Sequence, residues 1–244
     1  MTKKILAITA LFMLPALAQA GWQDSLKDIK QTIKGNTATT PAALSEDTIV
    51  SGLKQALNQG VEKSVQQLGQ DNGFLGDATV KIPMPDTLRK VESGLRKVGQ
   101  AKVADNFINT MNHAAEKALP LTTSILVDAV KNMTLKDALN ILKGEPDAAT
   151  QYFKRTSTPH LRTAIKPLVQ SATSAAGVTD SYKKMISKAG FLAKYIDPNS
   201  LDIDQYITDK AIDGLFIKIA VEEKLIREDP VARTTDLLRT VFGG

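Results

Sequence analysis

The sequence predicts an all-α protein, a single irregular multi-helix bundle of roughly ten helices that follows a cleaved signal peptide. Apolar residues recur every three or four positions along most of the chain, which is the spacing of one helix face. No segment alternates apolar and polar residues with the period of two that marks a half-buried strand. Glycine and proline fall between the periodic segments, and no repeat of fixed length indicates a solenoid.

The first 20 residues have the layout of a secretory signal. Lys3 and Lys4 precede an apolar run over residues 5–14, and Ala18-Gln19-Ala20 offers the small residues that signal peptidase requires. The run is too short for a permanent membrane helix, and the chain has no cysteine to carry a lipid anchor or a disulfide. We therefore expect residues 1–20 to be removed and the mature protein to be soluble in the periplasm of a Gram-negative-type cell.

Charge and composition exclude some classes of partner. The formal net charge is +5, and two of the lysines belong to the predicted signal. Lysine and arginine are interleaved with aspartate and glutamate instead of clustering with aromatic residues, so no nucleic-acid interface is expected. No later segment has about 18 consecutive apolar residues, so we expect no membrane-spanning segment in the mature chain. The oligomeric state is left open.

The residue pattern over positions 21–43 predicts a leader helix followed by a polar linker. This helix either simply remains after cleavage or docks on a surface or a partner. A single helical domain is expected from residue 44 to residue 244. The leader's apolar residues recur at helical spacing: Trp22, Leu26, Ile29 and Ile33.

The helical domain opens with the clearest helix of the sequence, which should run from Ser45 as N-cap to Gly69. Residues 69–85 then break the pattern with three glycines and two prolines. A loop this long inside a compact domain is usually functional or held by its own side chains. We expect it to be either a structural crossover or a cover over a binding site, pinned by its apolar residues: Phe74, Ile82 and Met84.

Caps and breakers predict further helix boundaries. Thr134-Leu135-Lys136-Asp137 resembles a capping box and should open a short helix that Gly144 closes. Thr158-Pro159 has the pattern of an N-cap followed by proline, so a new helix should start there. A long helix should run from Ile203 to Arg227 with Gly214 inside it. Such a glycine costs about 1 kcal/mol relative to alanine and often lets another segment or a ligand come close.

A first polar helix face is a candidate binding surface. Asp105, Asn109, Asn112 and Glu116 step by four, three and four residues and therefore share one face. This face is either solvated or forms the polar wall of a pocket. In the second case Asn112 and Glu116 would contact the ligand.

A second candidate surface lies near the end of the chain. Its charged residues form either an internal salt-bridge network that locks the last two helices or the other half of the same binding site. Glu223 and Arg227 are a favourable pair four residues apart on a helix. The candidate ligand-binding residues of this stretch are Asp213, Glu222, Glu223, Arg227 and Arg233.

Sequence motifs for particular reactions are missing. The two histidines, His113 and His160, are far apart, and His113-x-x-Glu116 supplies only half of a helical carboxylate site, so neither a metal nor a cofactor is expected. No Gly-x-Ser-x-Gly elbow and no glycine-rich phosphate loop occur.

Several runs of the sequence resemble the bacterial family catalogued as domain of unknown function 4197. They are Gly52–Leu57, Val80–Pro85, Met111–Glu116, Tyr152-Phe153, Ala211–Phe216 and Arg227–Leu238. The resemblance implies an exported helical protein with no assigned catalytic residues. It also implies that relatives carry arginine at the position of His113, which weakens a metal or proton-shuttle role for this histidine.

Three functions remain open from the sequence. The first is a non-catalytic periplasmic protein that binds a ligand or envelope partner in a cleft between the Asn112–Glu116 helix and the last two helices, roofed by the loop of Phe74 and Met84. The second is a hydrolase or lyase in which Glu116 and Asp213 or Glu222 act as acid and base. The third is a structural or assembly factor of the envelope that docks through the Trp22 helix.

Overall fold

The computed structural model describes residues 45–190 and 201–229. These ranges contain no strand, which confirms the all-α class, whereas the expected number of roughly ten helices is not confirmed. The predicted signal peptide, the leader helix with Trp22, and Arg233 lie outside the described residues. The described α-helices are α1 Glu46–Gly69, α2 Arg89–Lys97, α3 Ala101–Ala118, α4 Thr123–Lys131, α5 Leu135–Lys143, α6 Ala148–Ala175, α7 Val178–Ala189 and α8 Ile203–Glu228, with short 3₁₀ helices at Asp86–Leu88 and Leu119–Thr122.

Helix α1 has both of its predicted boundaries. The Ser45 hydroxyl accepts a hydrogen bond from the backbone N–H of Thr48 at 3.2 Å, so this residue is the N-cap. The helix ends at Gly69, where an added Cβ would lie 2.5 Å from Cγ of Pro120. Glycine is therefore needed at this position because the chain that follows α3 packs directly against it.

The predicted capping box at the start of α5 is confirmed. The Thr134 hydroxyl accepts from the backbone N–H of Asp137 at 3.1 Å, and the Asp137 carboxylate accepts from the backbone N–H of Thr134 at 3.2 Å. The hydrogen bond from the Thr134 hydroxyl is the largest of the interactions that lower the pKa of Asp137.

Helix α6 continues through both of its prolines, so the predicted helix start at Thr158 is wrong. The buried residues Phe153, Ser157, Leu161, Ile165 and Val169 step by four across Pro159 and form one uninterrupted buried face. The packing of this face outweighs the backbone hydrogen bond that each proline removes.

Helix α8 is buried along much of its length, and its predicted span is confirmed. It starts at Asp202, whose carboxylate accepts from the backbone N–H of Gln205 at 2.8 Å. It packs mainly against α6 and α1 and also contacts α3. Because Ala56 packs on Ile226 and Gly60 faces Glu222, α1 and α8 run antiparallel. No helix in the ranges 45–190 and 201–229 combines the length and hydrophobicity needed to cross a membrane.

Candidate functional site

The long loop between α1 and α2 inserts apolar side chains into the interior of the bundle, while other residues of the loop are exposed. Phe74 and Ile82 are completely buried and Met84 is 2% exposed, so the side chains predicted to roof a site are part of the hydrophobic core. Prolines 83 and 85 hold the end of the loop extended before the first 3₁₀ helix. The backbone N–H and C=O groups next to these buried side chains need polar partners inside the protein, because they are removed from water.

Asn112 of α3 supplies such partners for the second half of the loop. Its side-chain oxygen accepts from the backbone N–H of Ile82 at 2.8 Å, and its side-chain N–H₂ donates to the carbonyl of Ile82 at 2.9 Å and to that of Ile108 at 2.8 Å. The residue is 0% exposed. Asn112 therefore joins the loop to α3 through a pair of hydrogen bonds that imitates a strand pairing.

Glu116, one turn further along α3, holds the first half of the loop. Its Oε1 accepts from the backbone N–H groups of Phe74 at 3.0 Å and Leu75 at 3.1 Å, and its Oε2 lies 2.7 Å from Nδ1 of His113. The side chain is 3% exposed. Both oxygens are thus occupied by groups of the same chain, and His113 stands as the basic partner of this carboxylate.

Helix α8 also contacts the loop, through one glycine and two polar side chains. A Cβ at Gly214 would lie 2.7 Å from Cε1 of Phe74, so the glycine predicted to allow a close approach receives this aromatic ring. The Tyr206 hydroxyl donates to the carbonyl of Pro83 at 3.0 Å, and the Lys218 ammonium donates to the Asp77 carboxylate. The hydrogen bonds from Lys218 and then Thr79 lower the pKa of Asp77 from 3.8 to about 2.

Glu223 and Arg227 form a second buried polar cluster, at the start of α6. The Glu223 carboxylate accepts from the backbone N–H groups of Ala149 and Thr150, both at 2.9 Å, and from the Thr150 hydroxyl at 2.8 Å. Arg227 donates to Glu223 at 2.8 and 3.1 Å and to the carbonyl of Ile141 at 2.9 Å. Glu223 thereby caps the N-terminus of α6 with a negative charge, where the helix dipole favours one.

The remaining predicted residues are separate from this cluster. Glu222 is buried and accepts a hydrogen bond from the Lys63 ammonium of α1 at 2.7 Å. Asp213 is exposed, and its nearest cation is Lys210 at 3.9 Å. Arg233 lies outside the described residues. A cavity of about 20 Å³ beside Glu223 and Arg227 has a mostly apolar lining and room for about one water molecule.

A larger concave surface lies between α4, α5 and α6, where sequence analysis placed no site. It consists of two adjoining hollows of about 320 and 580 Å³, and a drug-sized ligand needs a volume in this range. Asp137, Tyr152 and Arg155 line both hollows, and His160 lines the larger one. We call this surface the Arg155 cleft.

Arg155 is the basic group at the centre of this cleft. Its guanidinium lies 5.8 Å from the centroid of the Tyr152 ring, and the described residues place no carboxylate within ion-pair distance of it. The Tyr152 hydroxyl donates to the carbonyl of Ala129 at 3.1 Å, which fixes the ring. Burial, and after it the Asp137 carboxylate, raise the pKa of Tyr152.

A sequence signal for Arg155 exists, although it is weak. The residues three and four positions away on α6 are Gln151, Tyr152, Thr158 and Pro159, so no acidic residue can pair with the arginine along the helix. Because a new helix was predicted to start at Thr158, Arg155 was expected in the last turn of the preceding helix. A cation in that turn interacts favourably with the helix dipole, so the absence of an acidic neighbour did not indicate a binding residue.

The described residues contain no group of three histidine, aspartate or glutamate side chains arranged to hold a metal ion. His113 and Glu116 do contact each other, but the other oxygen of Glu116 is bound to two backbone N–H groups.

Comparison with protein families shows to which family the chain belongs. The family described as protein of unknown function (DUF4197) matches residues 43–243. The chain belongs to this family. No match was found among curated proteins or among solved structures.

Runs that carried the resemblance to DUF4197 coincide with the loop and the residues that hold it. Val80–Pro85 is the second half of the loop, Met111–Glu116 contains both of its α3 partners, and Ala211–Phe216 contains the glycine that receives Phe74. The three runs by which this chain resembles DUF4197 therefore contain residues that pack or form hydrogen bonds in the interior of the protein.

Proposed function

We propose that this protein is a non-catalytic binding protein of the periplasm and that its ligand occupies the Arg155 cleft. The observation that carries the proposal is an arginine in a concave surface that forms no ion pair with any carboxylate of residues 45–190 and 201–229, the nearby Asp137 acting on it only at longer range. A guanidinium in this situation binds a carboxylate or phosphate group through paired N–H donors. The ligand class is therefore a small molecule with such an anionic group.

The groups next to Arg155 can orient such a ligand, whereas the carboxylates elsewhere in the lining confine its anionic group to the neighbourhood of the guanidinium. These carboxylates are Asp128, Asp137, Glu145 and Asp147. The Tyr152 ring limits the positions of the guanidinium, and Ile125 and Ala129 supply apolar surface beside it. Asn132 and Ser157 add hydrogen-bonding groups in the larger hollow. A few polar groups in a concave, partly apolar surface are what orients a small ligand.

The contacts of the predicted acid and base weigh against a hydrolase or lyase. Glu116 already accepts hydrogen bonds from two backbone N–H groups and contacts His113. Glu222 is paired with Lys63, and Asp213, on the same helix α8, is exposed to solvent. General acid–base work needs groups that face a shared substrate space, and these carboxylates face their own chain or bulk water.

Thermal-shift measurements with a matched pair of variants test the proposal. The probes are inorganic phosphate, citrate and glutamate, and native mass spectrometry of protein purified from its own cells adds any bound molecule that copurifies. We expect a probe or copurified anion to raise the melting temperature of the wild type and of Lys154→Ala, an exposed neighbour outside the cleft, but not that of Arg155→Ala. Equal stabilisation of all three proteins, or no bound anion at all, would contradict the proposal.

The periplasmic location rests on the first 20 residues and needs its own test. Osmotic-shock fractionation followed by N-terminal sequencing should find the protein in the periplasm with Gly21 as its first residue. An intact N-terminus in the cytoplasmic fraction would contradict export, and it would leave the proposal for the cleft unaffected.

A further inference from the structure

Helix α8 is buried on most sides and faces solvent along one narrow stripe. Three aliphatic side chains occupy the middle of this stripe: Ile217 is 42%, Val221 is 46% and Leu225 is 37% exposed. They step by four residues, so they lie side by side on one face. Charged residues complete the stripe, which we call the α8 stripe: Lys210, Asp213, Lys224 and Glu228.

The charges of the α8 stripe are only loosely paired within the chain. Lys210 lies 3.9 Å from Asp213, and Lys224 lies 3.9 Å from Glu228, which is too long for a hydrogen bond in either pair. An exposed helix stripe with a charged rim and an aliphatic centre is typical of a helix that meets another helix.

We propose that the α8 stripe binds a second copy of this chain, with the two α8 helices antiparallel about a two-fold axis. With the axis midway between Ile217 and Val221, Ile217 of each copy lies opposite Val221 of the other copy. The same axis sets Lys210 opposite Glu228 of the second copy. It also sets Asp213 opposite Leu225 of the second copy, one residue from Lys224, so each rim charge has an opposite charge within reach of its side chain.

The distribution of charge along the stripe selects both the occupant and its direction. From Lys210 to Glu228 the order is positive, negative, two aliphatic residues, positive, the aliphatic Leu225, negative. The charges of this order are complementary to themselves only when one copy is reversed. A parallel pair would set Lys210 against Lys210 and Glu228 against Glu228. Like charges opposite each other disfavour that arrangement.

The size of the stripe predicts a weak, reversible dimer. From Lys210 to Glu228 the helix is about 27 Å long, and with a helix width of about 10–12 Å the contact covers roughly 300 Å² on each copy. Stable interfaces bury about 800 Å² on each partner. Because the rim pairs are exposed to solvent, added salt should weaken the dimer further.

Sedimentation velocity of the purified protein, from micromolar to millimolar concentration at low salt, tests the proposal. The wild type should form dimers as the concentration rises, and Val221→Lys should raise the dimer dissociation constant by about tenfold or more. Val98→Lys is the matched control, because Val98 is also aliphatic and 69% exposed but belongs to another part of the chain. Circular dichroism should show that both variants keep their helical content.

A charge exchange tests the direction of the helices. Lys210→Glu alone and Glu228→Lys alone should each weaken the dimer, because each sets like charges opposite one another. The double variant K210E/E228K should restore wild-type association, since the pair is reversed but still complementary. A monomer throughout the concentration range, a dimer that survives Val221→Lys, or a double variant weaker than both single variants would overturn the proposal.

Discussion

Replacing Glu116 with alanine tests whether this carboxylate serves the fold. In the native protein its Oε1 is the acceptor for the backbone N–H groups of Phe74 and Leu75, and its Oε2 contacts His113. Alanine leaves two backbone donors in the interior without an acceptor. An unsatisfied buried donor costs about 1–3 kcal/mol, so the loss of both acceptors should lower the free energy of unfolding by about 2–6 kcal/mol. In a domain of this size that corresponds to a decrease of the melting temperature of about 4–24 °C.

One further variant separates the hydrogen bonds of Glu116 from its charge, and a second variant is a control for the loss of an exposed carboxylate. Glu116→Gln keeps an oxygen that can accept from both N–H groups. Its amide can donate to Nδ1 of His113 once the imidazole takes the tautomer with its proton on Nε2, so we expect a loss of no more than about 1 kcal/mol. Asp213→Ala changes an exposed carboxylate whose nearest cation is 3.9 Å away and should alter stability by less than about 0.5 kcal/mol.

Urea denaturation followed by far-UV circular dichroism measures all three variants of this series under the same conditions. The expected order of midpoints is wild type and Asp213→Ala, then Glu116→Gln, then Glu116→Ala well below. A Glu116→Ala midpoint equal to that of the wild type would refute the reasoning, because the two N–H groups would then have no need of this carboxylate.

Other predictions follow from the same interior. Asn112→Asp should lower the free energy of unfolding by about 3 kcal/mol, because a carboxylate cannot donate to the carbonyls of Ile82 and Ile108. Its control is Asn106→Asp, on the exposed side of α3, and equal urea midpoints of the two variants would refute the prediction. Gly214→Ala should destabilise the protein by about 1–2 kcal/mol in thermal unfolding, because the added Cβ meets the Phe74 ring. Helix propensity alone would stabilise the protein by about 1 kcal/mol, so a stabilised variant would contradict the close contact with Phe74. Asp77→Asn removes a carboxylate whose folded-state pKa is about 2, below its ordinary 3.8, so its stabilising contribution is present above about pH 4 and is lost as the pH falls toward 2. The difference in urea midpoint between wild type and Asp77→Asn should therefore shrink over this interval, and a difference independent of pH would contradict the assignment. Glu223→Ala should cost about 3–5 kcal/mol of unfolding free energy, because it leaves Arg227 and the first N–H groups of α6 without their acceptor; an unchanged midpoint would show that water replaces it.

The helices were largely predictable because their signals are local. The N-cap Ser45, the capping box of Thr134 and Asp137, and the apolar spacing of α8 each involve residues within one or two turns. The interruption predicted at Thr158 failed because a buried face that continues across Pro159 is a tertiary feature. The same two residues, threonine followed by proline, fit a helix start and a helix interior equally well.

The roles of the polar residues were less predictable because they depend on contacts across long separations. Glu116 and Phe74 are 42 residues apart, and Glu223 and Ala149 are 74 apart. A polar residue on a helix face has the same sequence pattern whether it meets a ligand or a backbone N–H group. The close approach at Gly214 was predicted, since a glycine inside a strong helix signals it, but its occupant, Phe74, was not.

Amide hydrogen exchange tests most directly the central claim, that the buried carboxylates bind the protein's own backbone. The amides of Phe74, Leu75, Ala149 and Thr150 should exchange slowly in the wild type, at rates close to those of the helix interiors. Those of Phe74 and Leu75 should become fast in Glu116→Ala while Ala149 and Thr150 remain slow. Fast exchange of all four amides in the wild type would contradict the claim.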